Sequence, residues 1–379
     1  MYAQHPPWYP DIVEQQFPRL SGELKTEVAV IGGGITGASA AYHLATRGIE
    51  VALLEANTIC SGASGKNFGM LVLGTEHDFI EAVKKFGFKK ARSAWFATND
   101  ALRNITKILE QEKIECELEH TGSLNIALHE NDLEPLRKEY RTLKKAGFKV
   151  KWFEDSALHQ IIKSPLLLAA VYSPYDFQVL PTKLVQGFAQ VATKKDAVVF
   201  ERSKDLSIRK HKGGFHLRTQ KGIVHAEKII FATETFTPTE WLPADLHIRR
   251  DFGLATPELP KKWFEVHWPG KELFWNFGVH YHAFRKFNNR ILFFSTEGAT
   301  RSFQEFFPRL KMRATHNWKC RIAGFPDQWP RIGPHPKHSG VYFSAGYRGH
   351  GLVIGYMAGS ILAEHIAGKK NKWYSLFRP

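Results

Sequence analysis

Gly32, Gly34 and Gly37 stand at the spacing Gly-x-Gly-x-x-Gly inside the run VAVIGGGITGASAAYHLATRGIEVALLEA, residues 28–56. That spacing suits a pyrophosphate. The first glycine permits a tight turn, the second lets the phosphates approach the main chain, and the third lets a helix lie close on a strand. Ile35 and Thr36 open that helix, whose first amides face the phosphates. Glu55, followed by Ala56, ends the next strand about 20 residues on, where a carboxylate accepts ribose hydroxyls and disfavours a 2′-phosphate. An adenine dinucleotide is expected. NAD and FAD stay open on this unit alone.

A second small-residue loop, SGASGKNFG, brings Ser61, Gly62, Ser64, Lys66, Asn67 and Gly69 directly after Glu55. Its bare backbone suits a large flat cofactor passing over it. It is not a Walker loop, since Cys60 occupies the first glycine position and Asn67 stands where Ser or Thr is needed. Near the other end, GYRGHG places Gly346, Arg348, Gly349, His350 and Gly351 just ahead of Leu352 and a final helix. His280 and His282 share one face of a strand at a spacing metals accept, but no third ligand accompanies them, and no metal is expected. No GxSxG elbow supports hydrolase chemistry.

These residues need a frame. Apolar spacing predicts a strand at Glu27–Ile31, a helix at Thr36–Arg47 stopped by Gly48, and a strand at Val51–Glu55, which together make a βαβ unit. Helical spacing recurs over about 76–115, over Asp132–Ala146, and from Pro181 to about Thr193. GSLNIA at 122–127 reads as a strand. Short strands follow at Val198–Phe200, Leu206–Arg209, Phe215–Thr219, Ile223–Val224 and Lys228–Ala232, with Gly213-Gly214 as a hairpin turn. Residues 241–325, rich in Trp, Phe and His, read as a second, antiparallel sheet that includes His280–Phe284 and Arg290–Phe294.

Bulk properties bound the class. The chain has 379 residues, 43% hydrophobic and 23% charged, a soluble composition with room for about two domains at roughly 150 residues each. No signal-like start and no uninterrupted apolar span appear, so a cytoplasmic protein without a membrane span is expected. Three cysteines without a CxxC pair argue against a disulfide framework and a cysteine zinc site. The net charge of +15 comes from 52 basic and 37 acidic side chains. It is spread along solvated helical faces without a nucleic-acid module, so nucleic-acid binding is not expected.

VAVIGGGITGASAAYHLATRG, LLEA, GASGKNFG, TGSLNIA at Thr121–Ala127, IIFATETF at Ile229–Phe236, DQWPRIGP at Asp327–Pro334 and VYFSAGYRGHG at Val341–Gly351 occur in an order that resembles the D-amino-acid oxidase superfamily of FAD-dependent amine oxidoreductases. The nearest branches are the gamma-glutamylputrescine oxidase-like and sarcosine/glycine oxidase-like ones. The resemblance implies FAD as cofactor. It also implies an α/β fold in which a Rossmann-like FAD-binding domain, residues 1–90, 172–240 and 326–379, is interleaved with a mixed, largely antiparallel-sheet substrate domain, residues 91–171 and 241–325.

On that resemblance, Val199, Ala232 and Thr233 join the cofactor site, and Gly346–Leu352 line the flavin, with the last helix's positive end near the ring edge that gains charge on reduction. The implied activity is oxidation of the C–N bond of a small amine or amino acid by hydride transfer to flavin N5. The imine hydrolyses in water, and oxygen or another carrier takes the electrons. An arginine would orient a substrate carboxylate, with Arg285, Arg321 and Arg348 as candidates, His350 beside them, and Tyr281, His282 and Trp275 as pocket walls. Ile322 stands nearest to the arginine of glycine oxidase-like members, which leaves room for a larger amine. Cys320 falls at the spacing of the cysteine that sarcosine oxidases join to the flavin, within surroundings that resemble the non-covalent branches. Two other readings remain open: an oxidase acting on a tRNA-borne aminomethyl group, motivated by the charge, and a flavin-binding subunit without turnover.

Overall fold

GELKTEVAVI forms strand β1, Gly22–Ile31, exposed at its start and buried from Val28 onward. Helix α1, Ile35–Ala45, and strand β2, Val51–Leu54, complete the unit. This is a computed structural model of the chain, and it describes residues 3–12, 16–204, 206–242, 246–276 and 281–379. β1 runs parallel to β2 on one side and to the strand Gly222–Phe231 on the other. Sheet strands covered on both faces carry continuous apolar runs, as VALL in β2 does.

α1 is buried along its whole length. It can lie between other helices because its residues are small. Against it packs the last long helix, Gly351–Ile366, where a Cβ on Gly359 would sit 2.5 Å from the Ala40 nitrogen. That contact fixes the terminal helix, and the loop before it, next to the β1–α1 turn.

The helical stretch expected over 76–115 is two helices, α2 at Phe79–Phe86 and α3 at Phe88–Gln111. Gly87 at φ +83° turns the chain between them, a conformation glycine adopts without a Cβ penalty. The expected boundary at residue 90 therefore falls inside α3, which packs with α1 and the terminal helix in one apolar cluster through Trp95, Leu102 and Ile105. The two strands expected at 223–224 and 228–232 are one, Gly222–Phe231. Its first half pairs with Gly214–Arg218 and its last residues pair with Val341–Ala345, so one edge serves two neighbours.

A second eight-stranded sheet runs in the order His316–Gly324, His247–Ala255, Arg290–Ser295, His282–Phe287, Leu273–Trp275, Ser123–Ala127, Ala169–Ser173, Lys151–Glu154. Side chains alternate across a strand. Ile291 and Phe293 therefore join Phe274, Phe284, Phe303 and Phe306 in an aromatic core. Leu292 and Phe294 point the other way and meet Ala283, Trp318, Cys320 and Ile322.

Candidate active site

The space between the β1–α1 turn and that second face is a cavity of about 1400 Å³. At its first end lie Gly32, Gly34, Ile35, Thr36, Glu55 and Ala56. Glu55 is aimed by the main chain: Gly33 N–H donates to Oε2 at 2.7 Å and Asn57 N–H to Oε1 at 2.8 Å. Each oxygen keeps a lone pair for a further donor. Burial raises the Glu55 pKa, and the two amides oppose that rise. Gly37 lies behind the wall, where a Cβ would fall 1.9 Å from Gly32 O. It allows helix and strand to close, which is the packing duty its spacing predicts.

The loop expected at 61–69 contains a one-turn helix at Ala63–Lys66. Ser64 Oγ accepts the Ile35 N–H at 3.0 Å, and Asn67 ties the turn through Ser64 O and Gly69 N–H, both at 2.6 Å. Ser61, Gly62, Ser64, Lys66 and Asn67 line the cavity, as do Ala232 and Thr233. A glycine turn without side chains at a helix N-terminus, beside an aimed carboxylate, is an arrangement that fits a dinucleotide.

At the other end the terminal loop contributes Arg348, Gly349, His350, Gly351 and Leu352, and the second sheet contributes Trp275, Tyr281, Phe294, Cys320 and Ile322. Burial lowers the His350 pKa to about 4, so its imidazole is neutral near pH 7. Burial, with Asp251 and Glu234 nearby, pushes the Cys320 thiol up to about 12. Burial also raises the Tyr281 phenol.

Four charged groups that the sequence reading passed over meet here. Arg249 bonds Asp251 through Nε at 2.8 Å and Nη2 at 3.1 Å, and its Nη1 reaches Glu76 at 3.1 Å. Glu76 also accepts Gly349 N–H at 2.9 Å. Burial raises the pKa of both carboxyls, and Arg249 opposes it. Arg249 and Asp251 share one face of their strand, a period-2 signal visible in HIRRDFGLA; Glu76 carries no comparable signal. Glu234, at φ +41°, accepts Tyr347 N–H at 3.4 Å, and burial raises its pKa to about 7.

Arg348 stands differently. It too has a positive φ of 49°. A Cβ on Gly324 would lie 2.2 Å from its Nε, so the side chain lies flat over that glycine. Nε has no hydrogen-bond partner, and Nη1 is 3.9 Å from Glu76.

Several expected site residues lie elsewhere. Arg285 is only 3% exposed and off the cavity wall. It donates to Phe68 O at 2.6 Å, Gln178 Oε1 at 2.9 Å and Val179 O at 3.3 Å, and burial lowers its pKa to about 9. It braces the frame and has no free edge for a substrate carboxylate. His282 shares strand parity with Phe284, so its ring packs on Phe293 and Phe306 in the aromatic core, away from the cavity. Gly69, Val199 and Gly346 sit behind the wall: Gly69 against Val179 O, Gly346 against the Phe325 ring, and Val199 inside the first sheet. Arg321 is at the rim, over the exposed Phe236 ring at 4.9 Å. His280 lies outside the described residues. Among the described residues no group of three His, Cys, Asp or Glu could hold a metal ion, and no helix is long and apolar enough to cross a membrane.

A family model described as "FAD dependent oxidoreductase" matches residues 27–365. The chain belongs to this family of FAD-dependent oxidoreductases, and its cofactor is FAD. It is 26% identical over 373 residues to the probable oxidoreductase OrdL of Haemophilus influenzae, covering 93% of this chain and 85% of that one. It is 24% identical over 383 residues to gamma-glutamylputrescine oxidoreductase of Escherichia coli, with coverages of 94% and 87%. Its fold is similar to the crystal structure of glycine oxidase from Geobacillus kaustophilus, with a TM-score of 0.77 at 21% identity, covering 92% of this chain and 96% of that one.

Proposed function

We propose that this enzyme oxidises the C–N bond of an amine or amino acid, with the substrate between the second sheet and the terminal loop. One observation carries the reading: the dinucleotide end and a wall of Trp275, Tyr281, Phe294 and Ile322 belong to one continuous cavity. The names of relatives that act on gamma-glutamylputrescine and glycine support the same substrate class. Bound FAD supplies the hydride acceptor.

The chain's own residues orient the substrate and exclude water. The apolar wall holds the reacting carbon in a dry site, which strengthens every charge contact around it. Arg249 is held by Asp251 and Glu76 on all three of its nitrogens, so most of its charge is spent on balancing the wall. Arg348 is the anchor in this reading. The residue lines the cavity, its Nε–H has no hydrogen-bond partner, and its only ion-pair contact among the described residues is a long one to Glu76, so its charge favours an anion. Of the three candidates Arg285, Arg321 and Arg348, this reading keeps Arg348.

The test is anaerobic mixing of the yellow holoprotein with amines, N-methyl amino acids, D- and L-amino acids and proline analogues. The visible flavin band should bleach with at least one of them, and readmitting oxygen or an artificial dye should identify the acceptor. A flavin that none of these reduces, yet dithionite does, removes the reading.

A further inference from the structure

The family match begins at residue 27, yet residues 3–12 are built into the site. Ala3 N–H donates to Thr315 O at 2.9 Å and Ala3 O accepts Asn317 N–H at 2.8 Å, so the chain start extends the edge of the strand His316–Gly324. From there the segment crosses toward the cofactor loop. Trp8 is 2% exposed. Its Nε1–H donates to Gly65 O at 2.8 Å, and its ring meets Phe287 edge-on at 5.1 Å and Trp318 at 6.2 Å.

Tyr9 follows on the cavity wall. Its hydroxyl is 3.5 Å from Ser61 O, and the Lys66 ammonium is 6.0 Å from its ring centroid. The segment thus bridges the substrate sheet and the one-turn helix whose Ser64 holds the Ile35 amide. Tyr9 is the residue of this segment that lines the cavity.

We propose that residues 3–12 are a clasp on the cofactor, with Tyr9 an FAD-contact residue and Trp8 the pin that keeps the clasp shut. A buried indole with a hydrogen bond to the main chain of the cofactor loop is costly to withdraw, and withdrawing it opens the wall formed by Tyr9. Release of bound FAD must wait for that opening. A closing element of this kind acts mainly on the off-rate. The inference rests on FAD as cofactor and is independent of the substrate reading.

The test uses full-length holoprotein and follows FAD fluorescence as the cofactor leaves on dilution into a trap of excess apo-flavoprotein. Trp8→Ala and Tyr9→Ala should each release FAD at least tenfold faster than wild type, while Tyr9→Phe, which keeps the ring, should stay within about twofold. Melting temperatures with and without FAD separate a clasp from a plain structural strand: Tyr9→Ala should lose part of the cofactor-induced rise and leave the apoprotein value in place. An unchanged release rate in Tyr9→Ala overturns the proposal. So does a Trp8→Ala protein that melts earlier by the same amount with and without FAD and releases it normally. Should Trp8→Ala fail to fold, the partly exposed Tyr9 decides the question by itself.

Discussion

Glu234→Gln tests the electrostatics of the cavity wall in cofactor-free protein. Burial raises the Glu234 pKa from the ordinary 4.5 to about 7, with the Tyr347 amide opposing the rise. Below the unfolded value both states hold the proton, and the carboxyl then carries no penalty in the fold. As pH climbs toward 7 the unfolded chain releases that proton while the native state keeps it, so stability falls; above 7 both are ionised and the full cost stands. At about 1.4 kcal/mol per pH unit between the two values, that cost reaches up to about 3 kcal/mol. The amide of the variant cannot ionise. The stability difference between variant and wild type should therefore change by up to about 3 kcal/mol between pH 4 and pH 8, in the variant's favour, in urea unfolding followed by tryptophan fluorescence. A constant offset between the two proteins does not matter, because the reasoning rests on the slope. Parallel stability curves across that range would refute it.

Four further expectations follow. Gly37→Ala drives a Cβ to 1.9 Å from Gly32 O, an overpacking worth about 1–3 kcal/mol, and should weaken FAD affinity roughly ten- to hundredfold in a fluorescence titration. Arg285→Ala leaves Phe68 O and Val179 O without their donor and should cost about 2–4 kcal/mol of stability; Arg348→Ala, by contrast, should lower kcat/KM at least tenfold with little change in melting temperature. The Cys320 thiol, pushed up to about 12 by burial, keeps its proton and is a poor nucleophile, so acid precipitation should send the yellow colour into the supernatant; colour retained in the pellet contradicts this.

Much of the fold is legible in the residues because it is local. The helix Pro181–Thr193 has its expected bounds, since a proline start and a single apolar face leave little choice. Gly222–Phe231 read as two strands because the exposed Glu227 interrupts its apolar run; it is continuous because it changes partners midway. Period-2 parity with Phe284 was available for His282. No such local sign marked Arg285, whose acceptors on residues 68, 178 and 179 lie far away in the chain.

By itself the sequence determined the expectation of a dinucleotide site, because the glycine spacing, the helix start and the carboxylate that carry it all fall within residues 32–55. Only the tertiary structure decided which charges line the cavity. Glu76, Arg249, Gly324 and Arg348 belong to separate elements, and a guanidinium is free or spent according to the neighbours that folding brings to it. The same holds for Trp8 and Tyr9, which look like an ordinary Pro-rich entry until the chain lays them across the cofactor loop.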